Sequence, residues 1–276
     1  MATQTTEMDQ PNIPEPPPVI VSPVVAATAE TPPTPATPWG FWATLGWSLL
    51  IALGYVLVQG VAAFVMALAG LVGKAGAIPS AKEFEVSGLA IAVATILSTP
   101  VAVCLCLLFA SLRRGIPVRD YLGLGWPTTT TCARWCLAFL AMVLAADAVT
   151  SALGRPIIPE FMVETYRSAK LLPLLWIALI VGAPLSEEFF FRGFLFSGLQ
   201  HSFVGPWGTV VLTAALWAVI HVQYDVYGMG MIFLQGLLLG CARLATGSVW
   251  LCVALHGLTN FVATVETAAY VSFLNT

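Results

Sequence analysis

Two adjacent acids and an arginine stand inside an otherwise apolar run, 171–199. They fall in Pro184-Leu185-Ser186-Glu187-Glu188-Phe189-Phe190-Phe191-Arg192-Gly193. An ionised group at membrane depth costs about 2.5–3.5 kcal/mol even on the lenient insertion scale, so such groups face a protein interior and serve a purpose. Glu188 and Arg192 are four positions apart, on one helix face and in the order that favours an ion pair. A buried ion pair alone would account for those two. Glu187 points about 100° further round the helix, where Arg192 is less able to neutralise it. It is the carboxylate left for chemistry.

Two of the three histidines also lie in apolar stretches. His221 closes Trp217-Ala218-Val219-Ile220-His221, and His256 opens His256-Gly257-Leu258-Thr259-Asn260. Each motif pairs residues i and i+4, so Trp217 flanks His221 on one helix and Asn260 joins His256 on another. A lone intramembrane histidine is more often a packing residue than a catalyst. Polar side chains on three apolar helices, however, seek one another, and one interior site is expected.

Such a site has the parts for hydrolysis. Glu187 could take a proton from a water, with His221 holding that water or sharing the proton. His256 and Asn260 could donate to an oxyanion, an effect of about 2.7–4 kcal/mol per donor in known cases. Glu187, His221 and His256 would equally make a His₂Glu zinc set with an open position. The reading preferred here needs no cofactor, because a ligating Glu187 leaves no acid in the motifs to act as base unless Glu188 serves. The GxSxG and HExxH patterns are absent.

The elements that must carry these residues are membrane helices. Of the 276 residues, 58% are hydrophobic and 9% charged, where soluble domains carry about 25% charged residues. The expected fold is all-α: a polytopic helical bundle with about seven to eight transmembrane helices. A net charge of −3 without a basic patch gives no sign of a nucleic-acid partner. Six cysteines without a CxxC read as small core residues.

Residues 1–38 hold ten of the nineteen prolines, four acids and no Lys or Arg. They form an expected disordered Pro/Thr-rich tail that does not read as a secretory signal. The transmembrane domain is expected over 39–276. Its apolar runs are 41–72, 88–112 with Pro100 inside, 133–153 with Asp147, 171–199, 206–222 ending in His221, 227–245, and 249 to about 265. A polar linker is expected over 154–170. Glu266 is expected to interrupt the last run, with the tail forming a short eighth helix. No internal repeat supports an inverted-repeat transporter.

The ordered set Glu187-Glu188-(three)-Arg192, aromatic-(three)-His221 and His256-(three)-Asn260 resembles the CAAX-protease and bacteriocin-processing family. Its relatives include the Ras-converting protease of prenylated CaaX proteins and bacterial abortive-infection or immunity proteins. The resemblance covers about 171–265, expected to be the catalytic core, and the loop Tyr121-Leu122-Gly123-Leu124 also looks like family members. One departure is Trp217, where the family's second motif usually begins with Phe.

The resemblance implies an intramembrane glutamate-dependent endopeptidase, of a kind formerly classed as metalloprotease, in a bacterial plasma membrane. It implies Glu187 and His221 as the water-activating pair, His256 and Asn260 as the oxyanion pair, and Glu188 and Arg192 as supports. Its partners would be membrane lipid and a peptide or protein substrate, possibly lipidated, cut near its C-terminus or in a membrane-proximal segment. The alternative is a non-catalytic membrane scaffold or bacteriocin-immunity protein of the same fold.

Overall fold

The structure, a computed structural model, describes residues 36–70, 80, 83 and 86–274. The expected Pro-rich tail lies outside the described residues except for 36–38. Among the described residues there are helices and no strands. Lipid offers no water to satisfy backbone groups, so long apolar runs fold as helices that bond internally.

The helices are α1 (Phe41–Leu68), α2 (Gly88–Ser111), α3 (Val118–Leu122), α4 (Thr129–Ala152), α5 (Glu160–Ser168), α6 (Leu172–Gln200), α7 (Gly205–Val219), α8 (Val226–Thr246) and α9 (Val249–Leu274). Six of them are long and apolar enough to cross a membrane, and α7 is a shorter apolar helix of 15 residues. The chain is an integral, multi-pass helical membrane protein. Leu49, Leu53, Val56 and Leu57 of α1 stand exposed, an apolar surface that suits lipid contact.

Polar caps mark where several helices start. The Ser87 and Thr128 hydroxyls each accept the amide three residues on at 3.3 Å, and Asp225 Oδ1 accepts Gly228 N at 2.8 Å. α6 runs against α2 on one side and α9 on the other, while α1 packs on α2 and α7 on α8.

Four sequence expectations change. The last helix is unbroken from Val249 to Leu274. Glu266 does not interrupt it and lies near Asp147 of α4. The expected span 206–222 ends earlier, so His221 sits in the turn after α7 rather than deep in a helix. The linker 154–170 contains α5, which begins after Pro159. Of the six cysteines, all free, only Cys106 and Cys252 are buried, and Cys104 is exposed.

The loop after α3 is stapled to the bundle by Arg243. This buried guanidinium donates from Nε to the Arg192 carbonyl at 2.7 Å and from Nη2 to Ser197 Oγ at 3.2 Å. Val249 N donates to the Gly123 carbonyl at 2.9 Å. Gly123 has φ +72°, and a Cβ there would lie 2.2 Å from the Gly247 carbonyl oxygen and 2.7 Å from Arg243 Nη2. Gly123→Ala is expected to destabilise the protein by at least about 1–2 kcal/mol from the left-handed backbone alone. Thermal unfolding in detergent measures this. Gly125→Ala, whose Cβ would meet nothing within 4 Å, is the control expected to leave the midpoint unchanged.

Candidate active site

α6 is not a uniform α-helix. Ala178–Gly182 and Phe189–Leu195 are π-helical and flank the α-turns Ala183–Glu188 that carry both glutamates. Pro184 has no N–H to return to the Ile180 carbonyl, which favours a wider turn there. Pro184 thus lies within the continuous helix Leu172–Gln200. Widened turns of this kind recur at functional sites. Gly257 of α9 faces the first of them, and a Cβ on it would lie 2.8 Å from Ile180 O. The absent side chain brings the His256 helix close to the glutamate helix.

The two glutamates divide as their spacing implies. Glu188 and Arg192 are both 0% exposed, and Arg192 Nη1 donates to Glu188 Oε1 at 2.9 Å. The same carboxylate oxygen lies 2.9 Å from His256 Nδ1. Arg192 Nη2 also donates to the Gly236 carbonyl of α8 at 3.2 Å. One carboxylate thus ties α6 to α9, and one guanidinium ties α6 to α8. A carboxylate only accepts, so the His256 proton sits on Nδ1 and Nε2 is the other face of the ring.

Glu187 is half-buried and outside that network. Its Oε2 accepts the Trp217 indole N–H at 2.5 Å. His221 Nδ1 lies 2.7 Å from the Trp217 carbonyl, which fixes the proton on Nδ1 and leaves a lone pair on Nε2 of the neutral ring. Asn260 Nδ2 donates to Leu179 O at 2.8 Å. That bond uses one of the amide's two N–H groups.

Glu187, Trp217, His221, His256 and Asn260 line one cavity of about 710 Å³. Glu188 and Arg192 stand behind its wall. α1 and α5 complete it, with Tyr55 and Gln59 on the first and Phe161, Met162 and Tyr166 on the second. The α5 contribution follows a signal the sequence reading passed over: apolar residues at 161, 162 and 166 on one helix face after Pro159. Tyr224, in the turn beyond His221, has its phenol pushed up to about 12 by burial and by the nearby negative charge of Glu187.

Among the described residues no group of three or more His, Cys, Asp or Glu side chains could hold a metal ion.

An apolar bundle with a Glu-Glu-Arg helix against two histidine motifs can be compared with known proteins. Residues 169–262 match the Rce1-like family, described as type II CAAX prenyl endopeptidase. The matched Rce1-like segment holds 94 of the 276 residues and includes Glu187, Glu188, Arg192, Trp217, His221, His256 and Asn260. Searches of curated proteins and of solved structures find no match to the chain. The Rce1-like match, set in a multi-pass membrane bundle, points to a CAAX protease-type intramembrane endopeptidase.

Proposed function

We propose that this protein hydrolyses a peptide bond in a membrane-proximal or C-terminal segment of a protein substrate, with water activated by Glu187 and His221. The observation that carries this reading is the convergence of Glu187, His221, His256 and Asn260 on one cavity within the helical bundle. A substrate segment enters that cavity with its scissile carbonyl facing His256 and Asn260. Glu187, held at one oxygen, takes a proton from a water, and the lone pair on His221 Nε2 is a second acceptor for that water.

Attack forms the C–O bond and moves charge onto the carbonyl oxygen. The second N–H of Asn260 can donate to that oxygen, as can His256 Nε2 when its ring carries both protons. Collapse of the tetrahedral intermediate breaks the C–N bond, and the proton held by the Glu187–His221 pair passes to the leaving amine. Glu188 and Arg192 act behind the wall by holding His256 and the helix spacing. The reaction as proposed runs on protein groups and water.

Protein termini should be compared in membranes from cells making wild type or Glu187→Gln at equal level. New termini that vanish with Glu187→Gln are expected, and they would identify the substrate at once, including whether it carries a lipid. Identical termini, with any cellular effect retained by the variant, would overturn the protease reading in favour of a scaffold or immunity protein.

A further inference from the structure

Trp217 touches Glu187, His221, His256 and Arg192. Its indole N–H donates to Glu187 Oε2 at 2.5 Å, and its carbonyl oxygen lies 2.7 Å from His221 Nδ1. Its ring meets the His221 and His256 rings edge-on, with centroids 5.1 Å away in each case. The Arg192 guanidinium carbon lies 4.7 Å from the ring centroid. The residue is only 2% exposed.

Arg192 donates from Nη1 to Glu188 and from Nη2 to the Gly236 carbonyl. The group that does donate to Glu187 is an uncharged N–H. A bond from a fixed donor to a carboxylate is among the stronger hydrogen bonds. This donor is held among four neighbours: two imidazoles, a guanidinium, and the backbone of α8 at Gly236. At Gly236 a Cβ would come within 3.1 Å of Trp217 Cε3. Phenylalanine, which usually opens this motif in the family the sequence resembles, would fill much of the same space and offer no N–H.

We infer that Trp217 is a positioning residue for Glu187, holding one carboxylate oxygen through its indole N–H so that the other is presented to the cavity. The role rests on the proposed use of Glu187 as the base. One residue thereby sets both members of the water-activating pair, Glu187 through its side chain and His221 through its carbonyl. A phenylalanine keeps the second contact and loses the first.

The full chain in detergent micelles, labelled with ¹⁵N at its nine tryptophan indoles, tests this directly. Trp217→Phe assigns the Trp217 indole signal by its disappearance. In wild type that indole proton is expected downfield of an unbonded indole and slow to exchange with solvent, and in Glu187→Ala it is expected to move upfield and exchange faster. A signal that Glu187→Ala leaves in place overturns the inference, whatever the cleavage data show. Against the substrate that the comparison of termini identifies, Trp217→Phe is expected to lower kcat about 10–100-fold with KM little changed, the range for losing a hydrogen bond to a charged group. A purely packing role would leave kcat near wild type and would overturn the inference as well. An indole that responds to Glu187, in a protein whose termini do not depend on Glu187, keeps the hydrogen bond and removes the protease reading instead.

Discussion

Alanine at Glu187 or at His221 is expected to lower cleavage by about 10²–10⁴-fold, and alanine at both to lower it little further. The range is that of general base catalysis. The non-additivity follows if the two side chains act on one water, because removing either already disables the unit. Both are anchored through Trp217, Glu187 at the indole and His221 at the carbonyl, which places them side by side at one water. Folding should survive. Both residues line the cavity and stand outside the Glu188–Arg192–His256 cluster, so truncation enlarges an existing space without leaving that ion pair broken. Cleaved fraction against time, measured beside thermal unfolding of the purified variants, checks both halves. A double variant whose loss equals the product of the two single losses would place Glu187 and His221 in separate steps and would sink the shared-water mechanism.

Helix periodicity made part of this site legible and tertiary contact hid the rest. The four-residue spacing of Glu188 and Arg192 is a local property of one helix, so the ion pair could be read before any fold was known. The outlying position of Glu187 could be read for the same reason. That Glu188 also meets His256 was not legible, because 68 positions separate them and only the packing of α6 on α9 joins them. Trp217 was noticed for its size and not for its N–H, since nothing local says which way an indole turns.

His221 was placed in a span because the apolar run continues through Val222, but the helix ends at Val219 and the turn 220–225 carries the histidine. Hydrophobicity reports burial or lipid contact, not helix ends. The same limit explains α5: a short stretch with few apolar residues reads as linker, although its apolar face closes a cavity wall. Arg243 illustrates the opposite error. A charged side chain near the end of an apolar helix commonly snorkels to the interface, yet this one is turned inward and held by the Arg192 carbonyl and Ser197.

The network behind the wall carries the second large effect, on stability. Glu188→Ala is expected to destabilise the protein by about 3–5 kcal/mol, the range for breaking a buried ion pair by deleting one partner. Arg192 is fully buried and would keep its charge with only the Gly236 carbonyl as an acceptor. The penalty arises from the orphaned guanidinium and not from any large favourable energy of the pair. That distinction can be measured. Glu188→Met combined with Arg192→Met removes both charges while keeping most of the volume, and it is expected to recover most of the lost stability, since apolar replacements of whole buried pairs are often neutral or better.

Cleavage should separate from stability in that double variant. His256 would lose the carboxylate that now faces Nδ1 at 2.9 Å, and with it the constraint on which ring nitrogen meets the cavity. A folded, stable and inactive double variant is therefore the expected result. Unfolding curves in detergent and the yield of new termini decide it together. If Glu188→Ala shifted stability by less than about 0.5 kcal/mol, within the range of ordinary surface substitutions, the buried pair could not be what holds α6 to α8 and α9. If the double variant were stable and also cleaved at the wild-type rate, the orientation of His256 would not depend on Glu188, and packing against Trp217 alone would have to set it.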